Sequence, residues 1–396
     1  MKRIKITLLV GILSFVSCKT KTDVKIETTT IKIKNTLDFD RNFETIEISK
    51  KDLHLKGSDS LSLYVIEDEN KNLLEIQYED TTNDGKLNIL LFQPKVKANS
   101  NTTYILRKRT KTELFSAKET CYSRFVPERT DDYAWENDKV AFRVYGPTAQ
   151  KMIEDGIEGG TLSSGVDCWL KRVDYPIINK WYKKYSEKTG TYHEDTGEGL
   201  DNFHVGTSRG CGGIAVKSKD NYFLSKNFIQ YKTITTGPIR TQFSLEYADW
   251  DANGKLVQEK RIITLDKGNQ LSKFEIYLKG IDTISIGLTL HKNDGTITKN
   301  KEKGWISYWE KLDDSEIGTA VLVSPQNNIL DFNTFISKTD DTKNQYVKVA
   351  IANNKILYYA GFGWKKATII QDNDQWTNYL NTFSLQLQSP LEIAIP

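Results

Sequence analysis

From Val24 onward apolar and polar residues alternate with a period of two, in short runs parted by Asp, Asn, Gly and Lys turns: IKIKNTLDF, FETIEI, LSLYVIED, LLEIQYED and LNILLFQ. Alternation of that kind puts one face of each strand on a core and the other in water. It predicts a β-rich N-terminal module over residues 31–118, closing at TTYILRKRTKTELFSAK. A second, longer series follows, with strands expected at VAFRVYG, GIAVK, TQFSLEYADW, RIITLD, LSKFEIYLKG, TISIGLTLH, GTAVLVS, VKVAIAN, KILYYAGFGW and FSLQLQSPLEIAI. Many strands, short turns and almost no helical period predict a mainly β chain: a large antiparallel β-sandwich over 119–396 preceded by a smaller β-sandwich module. One stretch departs from this. In YPIINKWYKKYSEK, Ile177, Trp181 and Tyr185 recur every four residues behind Pro176, which predicts an inserted helix near 176–188. No internal repeat, Pro-rich linker or low-complexity tract interrupts the series.

The first residues read differently. Lys2, Arg3 and Lys5 precede an apolar run from Ile6 to Val16, the layout of an export signal over residues 1–17 and too short a run for a membrane span. Ser17 before Cys18 resembles the lipobox of bacterial lipoproteins, so Cys18 is the expected lipidation site and residues 18–30 the expected tether. The expected location is a bacterial membrane, on the outer membrane or a periplasmic face. Loss of residues 1–17 lowers Lys+Arg from 55 to 52, equal to Asp+Glu at 52. A mature chain without net charge has no general field for a polyanion, so no nucleic-acid partner is expected and any acidic substrate needs a local cation cluster. Cys121, Cys168 and Cys211 are too few for a disulfide framework; one bridge is possible in an exported protein, and the spacing does not choose the pair.

Chemistry concentrates in TYHEDTGEGLDNFHVGTSRGCGG, residues 191–213, which holds two of the 4 histidines of the chain. Gly197 and Gly199 break any helix and present the side chains on an irregular loop. His193 and His204 lie too far apart for a helical zinc-protease motif, and the glycines around Arg209 fit neither a P-loop nor a dinucleotide fingerprint. Glu194, Asp195, Glu198 and Asp201 are oxygen donors for a hard divalent cation, although not at EF-hand spacing, and no metal site is assigned. Arg209 in its glycine-rich turn reads either as a tight strand connection or as a bidentate carboxylate clamp, with Tyr192, His193 and His204 nearby as proton carriers. Upstream, DDYAWENDKVAFRVYGP carries Trp135, Glu136, Asn137 and Arg143, and SGVDCWLKRVDYP carries Asp167, Trp169, Lys171 and Arg172. Tryptophans beside charges suit a sugar cleft, although most of the 8 are expected in the core; Trp364 in YYAGFGWKK is a further candidate wall. His54 and His291 lack clustered partners and read as structural.

The blocks WENDKVAFRVYGP, DCWLKR, YHEDTGEGLDNFHVGTSRGCGG, GPIRTQFSLEY and YYAGFGW, in this order, resemble the signatures of a family of exported bacterial proteins once labelled a domain of unknown function. Its genes are common in polysaccharide-utilisation clusters, and it includes ulvan oligosaccharide dehydratases. The resemblance covers essentially the whole mature chain. It implies a galactose-mutarotase-like supersandwich for the larger region. It also implies loss of water from a non-reducing-end glucuronate or iduronate linked to sulfated rhamnose, leaving a 4,5-unsaturated uronyl end. Such chemistry needs a neutraliser for the uronate carboxylate, a base for the proton on carbon 5 and an acid for the leaving hydroxyl. On that reading Arg209 neutralises, His193 is the base, and Tyr192 or His204 is the acid. Glu198 and Asp201 bind hydroxyls or orient His193, while Arg143, Lys171 and Arg172 meet sulfate or a second carboxylate. The partner is a sulfated uronate-containing oligosaccharide. A lyase or hydrolase on a related anionic glycan, or a non-catalytic glycan-binding lipoprotein, are the competing readings.

Overall fold

The computed structural model describes residues 28–55, 59–110, 113, 118–338 and 342–396. The expected signal at 1–17, the lipidation site Cys18 and most of the tether lie outside the described residues. Thr28–Lys34 is already a strand, so residues 28–30 of the expected tether belong to the first sheet.

The N-terminal module is two small sheets face to face. Thr28–Lys34 pairs with Asn101–Lys108, which pairs with Tyr64–Glu67; opposite them lie Ile46–Ser49, Ile89–Phe92 and Ile76–Glu79. Alternate side chains, among them Ile31, Ile33, Ile46, Ile48, Leu90, Phe92, Tyr104 and Leu106, fill the gap. The last strand, Glu392–Ala394, returns across the molecule to pair with Thr28–Lys34, so the end of the chain completes the module that its beginning opens. Gln77 ties this module to the larger body, accepting from the Ile239 and Arg240 amides at 2.9 Å each and donating to the Arg240 carbonyl at 3.0 Å.

The larger body is an antiparallel sandwich. A nine-stranded sheet runs in the order Phe228–Thr235, Arg240–Tyr247, Leu256–Asp266, Leu271–Lys279, Lys355–Trp364, Ser315–Val323, Trp305–Leu312 and Thr296–Asn300, with Trp250–Asp251 on Leu256–Asp266. Facing it are a five-stranded sheet centred on Thr283–Thr289 and a second one that carries the site. The period-two signal has its cause here: along Leu256–Asp266, Val257, Glu259, Arg261, Ile263 and Leu265 are buried while Leu256, Gln258 and Lys260 are exposed.

Three α-helices are present among the described residues. The first, α1 (Pro147–Glu154), has no counterpart in the expected elements. The second, α2 (Ile178–Ser186), is the expected inserted helix, and Ile178, Trp181 and Tyr182 form its buried face. The third, α3 (Asn373–Gln388), corrects an expectation, because FSLQLQ was read as a strand. Its Phe383, Leu385 and Leu387 alternate as in a strand, yet Trp376, Leu380, Phe383 and Leu387 also recur at three and four residues. That stripe packs on Leu271, Trp305, Trp309 and Leu322, so tertiary burial decides for the helix. Asp372 caps it, accepting from the Gln375 amide at 2.8 Å. Asp372→Ala should cost about 1 kcal/mol, read as a lowered thermal midpoint.

Cys121, Cys168 and Cys211 are free and buried, with no bridge among the described residues. Among those residues no helix is long and apolar enough to cross a membrane.

Candidate functional site

The site is built on the small sheet Tyr122–Val126, Asp132–Glu136, Ala141–Val144, Asp167–Lys171 and Gly199–Leu200. Its alternation separates two environments. Tyr133, Trp135, Phe142, Val144, Cys168 and Leu170 face the main core. The opposite face carries Asp132, Ala134, Glu136, Ala141, Arg143, Asp167, Trp169 and Lys171; in register, Asp167 stands beside Arg143 and Trp169 beside Ala141. Helix α2 and Tyr192 cover the middle of that face, packing on Trp169. The two ends of the face are polar.

At one end Lys171 and Glu136 form an ion pair at 2.7 Å with both side chains wholly buried. The Lys171 ammonium also donates to the Asn137 and Tyr175 carbonyls, each at 2.9 Å, and Glu136 accepts from the Ile177 and Ile178 amides at the start of α2. Lys171 is therefore a structural cation and not the exposed sulfate ligand the sequence suggested.

At the other end lies a pocket of about 580 Å³, lined by Arg143, Tyr145, His193, Asp201, Asn202 and His204 together with the 160–162 and 205–207 segments. Arg143 donates from Nε to Asp167 at 2.9 Å, and from Nη2 to Asp167 at 2.6 Å and to Asp201 at 2.9 Å. Its Nη1 is 3.6 Å from Asp132, and the guanidinium lies over the Tyr145 and Trp169 rings. Three buried carboxyls thus converge on one guanidinium. Burial, with the neighbouring Asp201 adding to it, pushes the Asp167 carboxyl up to about 8; burial alone is the main cause that takes Asp132 to about 6.

His193 sits at the rim with its side chain about half exposed. Its Nδ1 is 2.7 Å from the Asp201 carbonyl oxygen, which can only accept, so Nδ1 carries the proton and Nε2 keeps its lone pair in the neutral ring. Asp201 thereby holds both His193, through its carbonyl, and Arg143, through its carboxylate. His204 lines the same pocket, and its carbonyl accepts from His291 Nε2 at 2.9 Å.

Several expected members are elsewhere. Arg209 is buried: its Nη1 donates to Ser164 Oγ at 3.0 Å and to the Ile214 carbonyl at 3.3 Å, and its Nη2 to the Thr207 carbonyl at 3.2 Å. Burial pushes its pKa down to about 10. It clips its own glycine-rich turn to the sandwich, where Gly210 (φ +58°) admits the Val166 carbonyl into space a Cβ would fill. The bland reading of that turn, a tight connection, is the one the geometry fits. Tyr192 is buried beneath His193, its ring 4.6 Å from the imidazole, and its hydroxyl accepts from Arg129 at 3.3 Å and Arg143 at 3.4 Å on the inner side. The backbone bends here, and Tyr192 lines a neighbouring pocket with Thr191 and Glu194 and not the one that holds His193, so it does not face His193 across that pocket. Trp135, Trp169 and Trp364 are core residues, not sugar platforms.

The acidic residues do not converge on a cation. Asp195 accepts from Arg172 at 3.0 Å and from two loop amides, which ties the expected sulfate ligand Arg172 to its own loop. Glu198 accepts from Tyr175 at 2.5 Å and Lys180 at 2.7 Å and lines a neighbouring pocket of about 400 Å³ on the other side of the 191–194 segment. Among the described residues no group of three or more His, Cys, Asp or Glu is placed to hold a metal ion.

Sequence reasoning missed Tyr145 and Asp132, and it placed Asp167 only among the charged groups of SGVDCWLKRVDYP. Tyr145 lines the pocket and donates to Asp167 at 3.3 Å; it follows Arg143 by two residues, so a strand pattern already placed the two on one face. The carboxyls needed the strand register, which no single-chain period reveals.

The comparisons bear on fold and family. The alpha-mannosidase of Enterococcus faecalis superposes with a TM-score of 0.50 at 9% identity, over 93% of this chain and 46% of that one. A second E. faecalis structure, a protein in glycosyl hydrolase family 38, gives 0.49 at 8% identity over 93% and 47%. The chain thus spans about half the length of these solved structures, and the first likeness shows a shared sandwich fold. An uncharacterized protein of Formosa agariphila is 51% identical over 367 residues, covering 92% of this chain and 93% of that protein. With that relative, and with a family model matched over residues 33–393, the chain belongs to the family described as Domain of unknown function (DUF4861).

Proposed function

We propose that the protein is a carbohydrate-active enzyme that eliminates water from the terminal uronate of a sulfated oligosaccharide of the ulvan type, working as an exported lipoprotein anchored through Cys18. The observation that carries the reading is His193 at the pocket rim, held by the Asp201 carbonyl so that Nε2 is free to take a proton, with a phenol and a guanidinium in the same pocket. His193 is the base for the proton on carbon 5. Tyr145 takes the role first given to Tyr192, that of the acid for the leaving hydroxyl, with His204 as the alternative on the same wall. Arg143 takes the charge-neutralising role first given to Arg209, since it is the guanidinium that lines this pocket.

A hydrolase reading fits less well. Glycosidases need two carboxyls that both reach the glycosidic bond, and here Asp167 is wholly buried while Asp201 is bound to Arg143. The sandwich likeness is compatible with glycan chemistry of several kinds and does not choose among them. The test is to incubate the protein with saturated oligosaccharides ending in uronic acid and follow the absorbance of the unsaturated uronate. A rise without chain shortening is expected. A rise with shorter products would make the protein a lyase, and binding without any rise would make it a glycan-binding protein.

A further inference from the structure

Tyr145, the phenol assigned to the leaving hydroxyl, is not held by a strand. Ala141–Val144 ends one residue before it, and α1 begins two residues after it. Residues 160–162, which line the same pocket, lie in neither helix nor strand. Backbone outside a ladder keeps its place where other groups satisfy its amides and carbonyls. One buried side chain does this for both stretches. Asn227 is 1% exposed. Its Nδ2 donates to the Gly146 carbonyl, next to Tyr145, at 2.9 Å and to the Thr161 carbonyl at 2.8 Å, while its Oδ1 accepts from the Ser163 amide at 2.8 Å. Gln150 of α1 holds Asn227 in turn, accepting from its backbone amide at 3.2 Å.

These partners determine both the orientation of the amide and the residue type. A carbonyl only accepts and an N–H only donates, so this interior spot needs one acceptor and two donors on one short side chain, which an asparagine amide supplies. An ionised aspartate of the same shape would set an anion against two carbonyl oxygens. Gly146 is pinned from a second side, since a Cβ there would lie 1.8 Å from the Asp131 carbonyl oxygen. The residue next to the phenol is thus held between Asp131 and Asn227. The framework continues through Ser164, whose Oγ donates to the Ser225 carbonyl at 2.9 Å and accepts from Arg209 at 3.0 Å. Arg209 also holds the Thr207 carbonyl, on another stretch of the pocket lining.

We propose that Asn227 is a positioning residue, which fixes the Tyr145 phenol and the 160–162 wall relative to each other without touching the sugar. The inference rests on the elimination reading above, in which Tyr145 delivers the proton to the departing oxygen. Proton transfer requires the donor within hydrogen-bond reach of that oxygen, so a phenol that drifts loses rate while the sugar stays bound.

The experiment compares variants of the full protein with the wild type on a uronate-ended oligosaccharide. In Asn227→Asp, kcat should fall by about 10–100-fold, the cost of misplacing a reacting group by about 1 Å, with a smaller loss of affinity. Two readouts separate positioning from support of the fold alone. The ratio of variant to wild-type kcat should rise as pH falls from about 8 to about 5, because the introduced carboxyl takes up a proton and donates again to one carbonyl. The deficit should also shrink on a uronate bearing fluoride at carbon 4, since fluoride departs with little help from an acid. Wild-type kcat beside a lowered thermal midpoint overturns the proposal, as does a deficit that neither pH nor the leaving group changes. Gln150→Ala leaves the Asn227 side chain in place and serves if the first variant does not fold: a smaller fall in kcat, eased by the fluoride, is expected, and wild-type kcat overturns the proposal. Should the wild type convert no uronate, the elimination reading falls. Oligosaccharide affinity then decides the role of Asn227: a weaker affinity in Asn227→Asp supports its shaping of the 160–162 wall, and an unchanged one overturns it.

Discussion

His193→Ala should lower kcat by about 10³, within the range by which a positioned general base accelerates proton transfer, and should leave the thermal midpoint almost unchanged. The imidazole is half exposed at the pocket rim, and its hydrogen bond to the Asp201 carbonyl is lost to water at little cost. Oligosaccharide affinity should persist, because the loss concerns a group needed in the transition state and not one that holds the ground state. Added imidazole should restore part of the rate by filling the space the side chain leaves. The measurement is steady-state turnover on a uronate-ended oligosaccharide beside a binding titration. Wild-type kcat in the variant would remove His193 from the chemistry.

Glu136→Leu should destabilise the protein by about 3–5 kcal/mol, the cost of leaving a buried charge without its partner. The Lys171 ammonium would keep only the Asn137 and Tyr175 carbonyls, and the Ile177 and Ile178 amides at the start of α2 would lose their acceptor. Lys171→Met should cost less, since Glu136 would still accept from those two amides. The double variant should lose less than the sum of the two, because it removes both charges together. Denaturant unfolding of the three variants measures this directly. Because α2 also covers Trp169 and Tyr192, which lie against Arg143 and His193, the single Glu136 variant should lose activity as well as stability.

The strands were legible where one face of each meets a core, as along Leu256–Asp266, and the α2 helix was legible from Ile177, Trp181 and Tyr185. The α3 helix was not, because Phe383, Leu385 and Leu387 satisfy a strand period and a helical one overlaps it. Only the patch around Trp305 and Trp309 decides between them, and that patch is assembled from distant strands. The loop of residues 191–207 announced itself by its histidines and carboxylates, and His193, Asp201 and His204 do share one pocket with Arg143.

What the chain alone did not reveal was which cation faces the pocket. Arg209 stood in the glycine-rich turn that looked like a display loop, but glycines there allow close backbone approach, and the guanidinium is consumed by Ser164, Ile214 and Thr207. Arg143 looked like one of several spare charges, and its position opposite Asp167 follows from strand register. The tryptophans show the same limit. Trp135 faces the main core and donates to Ser272 at 2.9 Å, whereas Trp169 lies on the outer face and is buried only because α2 packs over it. Residue type indicated chemistry in both cases, and pairing and coverage determined whether solvent could reach it.

The central claim is that this pocket removes one water from a terminal uronate. Mass spectrometry of products from defined ulvan oligosaccharides with a saturated uronic acid at the non-reducing end tests it most directly. The account predicts a product lighter by one water, of unchanged chain length, formed by the wild type and not by His193→Ala. Products of shorter chain length, or unaltered substrate under conditions where the oligosaccharide binds, would contradict it.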